Sequence, residues 1–234
     1  MQAKFYKYRK MFIALEGLDG AGKSTQIKLL ENYFANKNIR NKYLHFPRFD
    51  APFFGEMIAK FLRGDFGKID DVNPYIVALL FAEDRRDAAQ LLNAWLNQGY
   101  TVIVDRYVYS NIGYQCAKLA NATDRNTLRK WILELEFNYF NIPKPDISIF
   151  LDVPFSFTVN KLNETRDGDD RNYLQGKQDI HEINIDLQRR VREIYIEQQA
   201  DDNNFKIVNC TVETGEMLAP QLIFEQIIKN ISNI

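Results

Sequence analysis

Short apolar segments alternate along this chain with longer segments of helical periodicity. Five runs of strand character lie at 11–15, 42–46, 101–105, 146–152 and 205–209. Apolar residues at helical spacing predict helices between them, at 24–30, 74–96, 125–140, 154–164, 182–199 and 216–231. This alternation predicts an α/β fold: a five-stranded, mainly parallel sheet with helices on both faces and right-handed crossovers.

The helix at 74–96 has the clearest boundaries, because Asn73 is a good N-cap, Pro74 suits the first helical position and Gly99 follows the end. Phe81 and Arg85 lie four residues apart, so they share one helix face. They could offer a ring to stack on a base and a guanidinium for its edge. The alternative places Phe81 in the core and pairs Arg85 with a neighbouring acid, namely Glu83, Asp84 or Asp87.

A glycine-rich segment joins the first strand to the first helix. It fits the phosphate-loop pattern of two glycines followed by Lys and Ser, and its members are Gly17, Leu18, Asp19, Gly20, Ala21, Gly22, Lys23 and Ser24. In such a loop, backbone N–H groups and the helix N-terminus surround phosphate oxygens. Lys23 would neutralise the phosphates and the Ser24 hydroxyl would ligate Mg²⁺. The pattern therefore predicts a nucleotide site.

Charged residues follow two predicted strands at their carboxyl ends, where ligands collect in open α/β sheets. Asp105 ends the apolar run 101–105 and stands where a Walker B acid would. Its carboxylate would hold Mg²⁺ through water and pair with Lys23 or Arg106. Arg48 follows the run 42–46, and His45 within that run is predicted to be a satisfied core residue rather than a ligand.

Composition indicates an ordinary globular chain of 234 residues with a formal net charge of −1, 46% hydrophobic and 26% charged residues. Such a balance gives no general affinity for nucleic acid, so any anion binding must be local. Length favours one domain at 11–234. A basic arm at 1–10 precedes it and is interpreted as a solvated extension packed lightly on the first strand.

Targeting signals are not evident. No run reaches the roughly 18 apolar residues that span a bilayer, and the amino-terminal segment lacks the apolar length and cleavage site of a signal peptide. Cys116 and Cys210 match no metal-binding spacing and are predicted to be buried small side chains. We expect a cytoplasmic protein without a membrane partner.

Several separated motifs resemble those of the thymidylate kinase family, the P-loop nucleoside monophosphate kinases that phosphorylate dTMP with ATP. They lie at 16–25, 46–48, 81–85, 105–111 and 144–154, and their joint order and spacing are specific. The resemblance implies a three-layer P-loop NTPase fold. It also implies transfer of the γ-phosphate of ATP to dTMP, giving dTDP and ADP for dTTP synthesis, with Mg²⁺ as cofactor, and a homodimer.

The resemblance also assigns residue roles. Residues of the phosphate loop through Thr25 would bind ATP. Phe81 would stack on thymine, with Arg85 donating to a thymine carbonyl and Asn111 near the base edge. Tyr114 would lie near the sugar, where it disfavours a 2′-hydroxyl, and Asp19 near the sugar and the metal. The dTMP phosphate would be held by Arg48 and Arg106.

Two departures from the family pattern affect the predicted mechanism. Some members carry an arginine at the position of Gly20, so here another cation must serve the transition state. The charged loop between residues 165 and 181 contains two glycines; such loops are usually only solvated, but a lid that closes over phosphates has the same composition. As a lid, it would supply the missing charge through Arg166 or Arg171, together with Lys23 and Arg106. Phe49 replaces a tyrosine of some bacterial members and is predicted to pack.

Two other functions are compatible with a phosphate loop. A deoxynucleoside kinase must deprotonate a sugar hydroxyl, and Glu16 or Asp105 would be its base. Against this, Arg48 and Arg106 suit an acceptor that already carries phosphate. A GTP-dependent switch is disfavoured because the chain has no Asn-Lys-x-Asp segment.

Overall fold

A five-stranded parallel sheet forms the centre of the computed structural model, which describes residues 10–164 and 169–232. Its strand order is β2-β3-β1-β4-β5. All five predicted strands are present, with bounds β1 Phe12–Gly17, β2 Asn41–His45, β3 Thr101–Asp105, β4 Ile147–Asp152 and β5 Phe205–Asn209. The predicted fold class is therefore confirmed.

Helices cover both faces of this sheet. Their bounds are α1 Lys23–Asn36, α2 Phe54–Leu62, α3 Pro74–Asn97, α4 Val108–Cys116, α5 Ala122–Leu133, α6 Phe155–Asn163, α7 Ile185–Glu197 and α8 Pro220–Ile231. A π-helical turn, Glu134–Tyr139, continues α5, and short 3₁₀ turns lie at Asp169–Leu174 and Gln198–Ala200. The start predicted for α3 is confirmed, because the Asn73 side chain accepts a hydrogen bond from the Tyr75 N–H at 2.9 Å.

The sequence pattern missed α2 and α4 for physical reasons. All nine residues of α4 are buried, so this short helix has no solvent-exposed polar face of the kind that marks a surface helix. Helix α2 has no side-chain cap, because the residue before it is Phe53, which has φ of 62°. The start predicted at residue 216 was also wrong: α8 begins at Pro220, because Thr211 and Met217 first form a bridge.

Residues of each strand alternate between two cores, one on each face of the sheet. Phe12, Ala14 and Val104 face the core shared with α3, α4 and α7. Ile13, Leu15 and Ile103 face the core shared with α1 and α8. A parallel strand covered on both sides needs apolar residues at every position, which explains the continuous apolar runs in the sequence.

His45 is not the core residue that its strand position predicted. Strand β2 is the edge of the sheet, so its side chains are only partly covered. The His45 side chain is 42% exposed, and its Nδ1 lies 3.5 Å from Asp105 Oδ2. Position in the sheet, which the sequence does not show, decided its environment.

Cys116 and Cys210 are both buried and free, as predicted. Within residues 10–164 and 169–232, no helix combines the length and apolar character needed to cross a membrane. The predicted basic arm lies outside the described residues apart from Lys10.

Gly55 permits the close approach of α2 to the segment after β2. A Cβ at this position would lie 2.3 Å from the Arg48 carbonyl oxygen and 2.8 Å from that of Phe49. Both obstacles are backbone, which cannot move aside like a flexible side chain. We predict that Gly55→Ala lowers the free energy of unfolding by roughly 2–4 kcal/mol, measured by chemical denaturation.

Glu56→Ala is the matched control, because Glu56 is the exposed next residue of the same helix. Its loss removes only a surface ion pair with Lys60, and the change should stay within about 0.5 kcal/mol. Equal stability of G55A and E56A would show that the backbone crowding is relieved by a small shift.

Candidate active site

A cavity of about 450 Å³ opens at the carboxyl ends of the strands, the edge where ligands bind in open α/β sheets. It joins the phosphate loop, the ends of β2 and β3, one face of α3 and α4, and the segment before α7. The predicted site residues that line it are Asp19, Gly20, Lys23, Ser24, Phe81, Arg85, Asp105, Arg106, Asn111, Tyr114 and Arg171. Not among the lining residues are Gly17, Leu18, Ala21, Gly22, Thr25 and Arg48.

The phosphate loop has a conformation that requires glycine at two positions. Gly20 and Gly22 have φ of 76° and 80°, in the left-handed region. The turn is closed by a hydrogen bond from the Ala21 N–H to the Leu18 carbonyl at 3.2 Å. Helix α1 begins directly afterwards, at Lys23. The N-terminus of α1 therefore lies directly after the glycine turn, an arrangement that favours anion binding.

Lys23 and Asp105 face each other across the cavity floor. The Lys23 ammonium lies 3.9 Å from Asp105 Oδ1 and donates to the Leu18 carbonyl at 3.1 Å. Burial acts to raise the pKa of Asp105, but the charge of Lys23 and the hydrogen bond from His45 outweigh it, so the pKa is lowered. Asp105 is therefore a carboxylate at neutral pH.

A divalent cation fits beside Asp105. Its Oδ1 is buried and has no hydrogen-bond partner, although a buried carboxylate oxygen normally has one. The Ser24 hydroxyl lines the same cavity. No group of three or more His, Cys, Asp or Glu side chains suited to a metal occurs among the described residues, so a cation here would need further oxygens from bound phosphates.

Arg106 lies at the centre of a buried polar network. Its Nη2 donates to Asp19 Oδ1 at 2.6 Å and its Nη1 to Ser110 Oγ at 3.1 Å. The Tyr114 hydroxyl donates to Asp19 Oδ2 at 2.6 Å. Burial alone would raise the pKa of Asp19, but the charges of Arg106 and Lys23 lower it well below its usual range.

Glu16 lies behind this network rather than in the cavity. It is fully buried and accepts hydrogen bonds from Tyr107 N at 2.9 Å, Ser110 Oγ at 2.6 Å and Tyr195 OH at 2.9 Å. Burial raises its pKa despite these donors. With its oxygens enclosed, Glu16 is not positioned to act as a base on a substrate in the cavity.

Arg85 and Asn111 form the other end of the cavity, next to the half-buried Phe81 ring. Arg85 forms a two-point ion pair with Glu136, with Nη2 to Oε1 at 2.8 Å. The alternative partners Glu83, Asp84 and Asp87 were therefore wrong, because the π-helical turn brings in a distant acid. Asn111 Nδ2 donates to Glu136 Oε1 and to the Ala78 carbonyl, both at 3.0 Å. Asn111 Oδ1 is buried without a partner.

Comparison with known proteins gives a consistent result. The family model described as thymidylate kinase matches residues 15–219. The chain belongs to the thymidylate kinase family. The resemblance and the enzyme class predicted from the motifs, a nucleoside monophosphate kinase, are thereby confirmed.

Relatives of this thymidylate kinase family chain come from distant organisms. A probable thymidylate kinase of Thermococcus kodakarensis is 36% identical, over 91% of this chain and 95% of its own. A thymidylate kinase of Mycobacterium tuberculosis is 32% identical, over 89% of this chain and 96% of its own. A solved thymidylate kinase from Candida albicans superposes with a TM-score of 0.69 at 25% identity, over 96% and 92% of the two chains.

Arg48 is turned away from the cavity of this family member. Its Nε lies 2.9 Å from Asp84 Oδ1 and its Nη2 lies 2.6 Å from Asp87 Oδ2. Both acids are on α3, where Asp84 directly precedes Arg85 and Asp87 follows it by two residues. The predicted contact with a substrate phosphate would require Arg48 to leave these partners, so its role stays a prediction.

The segment before α7 covers the cavity through contacts that the sequence pattern did not show. Tyr173 stacks on Phe49 with ring centroids 3.7 Å apart, which confirms Phe49 as a packing residue. Arg171 forms an ion pair with Glu182, with Nη2 to Oε2 at 2.7 Å. Arg166, the other predicted lid arginine, lies outside the described residues.

Sequence reasoning missed five residues that shape the site. Gln115, Asp179, His181 and Glu182 line the cavity, and Gln188 Nε2 donates to Asp19 Oδ2 at 3.0 Å. Asp179, His181 and Glu182 lie in or directly after the charged loop 165–181, whose sequence shows no period from which their orientation could be predicted. Gln115 and Gln188 lie in helices whose orientation depends on packing.

Asp179 gives the covering segment a pH-dependent stability. Burial, reinforced by the charges of Asp19 and Glu182, raises its pKa to about 7. Because this pKa is above the ordinary value, the protonated carboxyl of Asp179 stabilises the folded protein. This contribution to the free energy of unfolding is fully present below about pH 4 and is lost as the pH rises through about 7. We predict that Asp179→Asn, which resembles the protonated acid, melts at a higher temperature than wild type at about pH 8.

The gain from D179N should grow between about pH 4 and pH 7 and then level off. Asp186→Asn, at an exposed acid on α7, is the control and should show no such trend. A D179N gain that is equal at both ends of this range would mean that Asp179 is ionised throughout in the folded protein.

Proposed function

We propose that this chain transfers the γ-phosphate of ATP to dTMP, giving dTDP and ADP. The observation that carries the proposal is the unpartnered acceptor Asn111 Oδ1 beside the guanidinium of Arg85. Thymine offers a carbonyl next to an N–H, which matches a donor next to an acceptor. Cytosine offers an amino group next to a bare ring nitrogen, which reverses both contacts. Phe81 supplies the ring on which the base stacks.

At the other end of the cavity, charge neutralisation is the main requirement. Two phosphate groups repel each other, and catalysis of phosphoryl transfer consists of positioning and electrostatic stabilisation. Lys23 meets the phosphates of ATP and Arg106 holds the phosphate of dTMP in line with them. Ser24 and Asp105 would hold Mg²⁺, which supplies positive charge between the ATP phosphates.

The acceptor needs no deprotonation, since the phosphate of dTMP is already an anion. This agrees with a Glu16 whose oxygens are enclosed by three donors. A deoxynucleoside kinase would instead require a free carboxylate beside the sugar hydroxyl. Tyr114 and Asp19 support a preference for deoxyribose over ribose. Their hydrogen bond at 2.6 Å holds the Tyr114 ring at the sugar side of the cavity, where it leaves no room for a 2′-hydroxyl.

A substrate panel tests this proposal directly. The purified chain is mixed with ATP and Mg²⁺ and with dTMP, dUMP, dCMP, AMP or thymidine, and the nucleotide products are resolved by chromatography. We expect dTDP from dTMP and no product from thymidine. Phosphorylation of thymidine with dTMP left untouched would instead establish the nucleoside kinase.

We propose that Arg171 supplies the transition-state cation once the lid closes, with Arg166 as the anchor. Arg171 already lines the cavity, held by Glu182 at 2.7 Å. Catalytic arginines in related chemistry contribute about 10³–10⁵ in rate. We predict that Arg171→Ala lowers kcat at saturating substrates by roughly 10³-fold and changes either KM far less.

Arg189→Ala is the control, since Arg189 is an exposed arginine of α7 and its loss should leave turnover near normal. Arg166→Ala is measured in parallel. Should both lid variants keep more than about a tenth of normal turnover, the lid only covers the site and the cation comes from elsewhere.

We also propose a homodimer that forms through α2 and α3. Their outer faces expose the apolar side chains of Met57, Ile76 and Leu79, with Ile76 61% exposed, and paired apolar faces are typical of oligomer interfaces. We predict a mass by light scattering about twice the 27.4 kDa of the chain. Ile76→Arg should yield the monomer; an unchanged mass would place the interface elsewhere.

A further inference from the structure

Gln115 is a cavity residue whose amide has a fixed neighbour. It lies on α4 one turn after Asn111, lines the cavity and is only 1% exposed. Its Oε1 accepts a hydrogen bond from the Lys118 ammonium at 2.8 Å. Neither residue is needed for the phosphoryl transfer described above.

The identity of that neighbour determines which end of the amide faces the ligand. The oxygen and nitrogen of a Gln side chain are nearly equal in size, so hydrogen bonding decides their orientation. A charged Lys has three donors and no acceptor. It can therefore face only the oxygen, which leaves the Nε2 donors for the cavity side.

Lys118 itself lies outside the cavity lining and is held in a largely apolar setting. Its ammonium lies 4.9 Å from the centroid of the Phe61 ring. Phe61 in turn packs edge-on against Phe81, with ring centroids 6.4 Å apart. Through Phe61, Lys118 is therefore connected to the Phe81 ring at the base end of the cavity.

We propose that Lys118 is a positioning residue for base selection, which orients the Gln115 amide so that it donates into the cavity. This inference rests on the proposed function. A donor from Gln115 joins the donors of Arg85 and the acceptor Asn111 Oδ1, and this set suits a base edge of two carbonyls and one N–H. A rotated amide would turn its oxygen toward a carbonyl and would accept from an amino group instead.

Lys118→Met removes the ammonium and keeps the aliphatic stem. A neutral hydrogen bond contributes about 0.5–1.5 kcal/mol, so KM for dTMP should rise by roughly 3–10-fold. At saturating dTMP, kcat and KM for ATP should stay near wild type. The kcat/KM for dCMP relative to dTMP should increase, because the freed amide can accept from an amino group.

Three comparison variants separate positioning from structure. Lys118→Arg, which also has only donors, should keep the wild-type selectivity. Lys130→Met, at an exposed lysine of α5, controls for loss of charge. In a Gln115→Leu background, K118M should have no further effect on KM for dTMP, because contributions through one shared group are not additive.

A pH profile of wild type supplies a readout that is independent of folding. Burial lowers the pKa of Lys118 to about 7 against the opposing charge of Asp70. The other titratable group facing it is His181, whose pKa is held well below its usual range by burial and by Lys118. The amide is therefore fixed below about pH 7, and KM for dTMP should rise above it in wild type but not in K118R.

The outcomes distinguish this inference from the proposed function. A wild-type chain that does not phosphorylate dTMP overturns both. If the wild-type chain phosphorylates dTMP and K118M keeps the wild-type base selectivity, only the role of Lys118 is overturned. The same holds if K118M lowers kcat and raises the KM values for dTMP and ATP together. If K118M does not fold, the K118R profile decides: a rise in KM equal to that of wild type overturns the inference.

Discussion

The phosphate loop depends on one half-buried carboxylate, that of Asp19, which joins the loop to three other parts of the chain. It accepts hydrogen bonds from Arg106 after β3, from Tyr114 on α4 and from Gln188 on α7. A partly buried charge is stabilised when it is paired and hydrogen-bonded, so these three partners help to hold the phosphate loop in place. The loop that binds phosphate is thus supported by elements distant from it in sequence.

Local patterns were sufficient for the strands, the phosphate loop and the start of α3, because each depends on neighbouring residues. The buried helix α4 and the partner of Arg85 were not predictable in this way. Helix α4 is short and buried on all sides, so no exposed polar face marks it as a helix, and Glu136 is 51 residues from Arg85. The prediction that His45 is a core residue was wrong, because a short apolar run does not show whether its strand lies at the edge or in the centre of the sheet. The motif resemblance supplied thymine, which no periodicity could select.

At each end of the cavity, side chains that are held in place leave one buried oxygen without a hydrogen-bond partner. Glu136 holds Arg85 and Asn111 Nδ2, which leaves Asn111 Oδ1 without a partner. Asp105 Oδ1 similarly has no hydrogen bond, although it lies 3.9 Å from the Lys23 ammonium. An unmet hydrogen bond in a buried place costs free energy that a suitable ligand restores. The site therefore selects among ligands, because a ligand with the wrong donor or acceptor leaves the buried oxygen without a hydrogen bond.

Three arginines in or near the site each have carboxylate partners within the protein. Arg106 contacts Asp19, Arg48 contacts Asp84 and Asp87, and Arg171 contacts Glu182. Binding a phosphate is then an exchange of partners rather than the burial of two bare charges. Such an exchange lowers affinity for any single anion, because each contact with a ligand replaces an existing ion pair. Only a ligand set that satisfies several cations at once recovers this cost, so the arrangement favours two phosphate groups bound together over one.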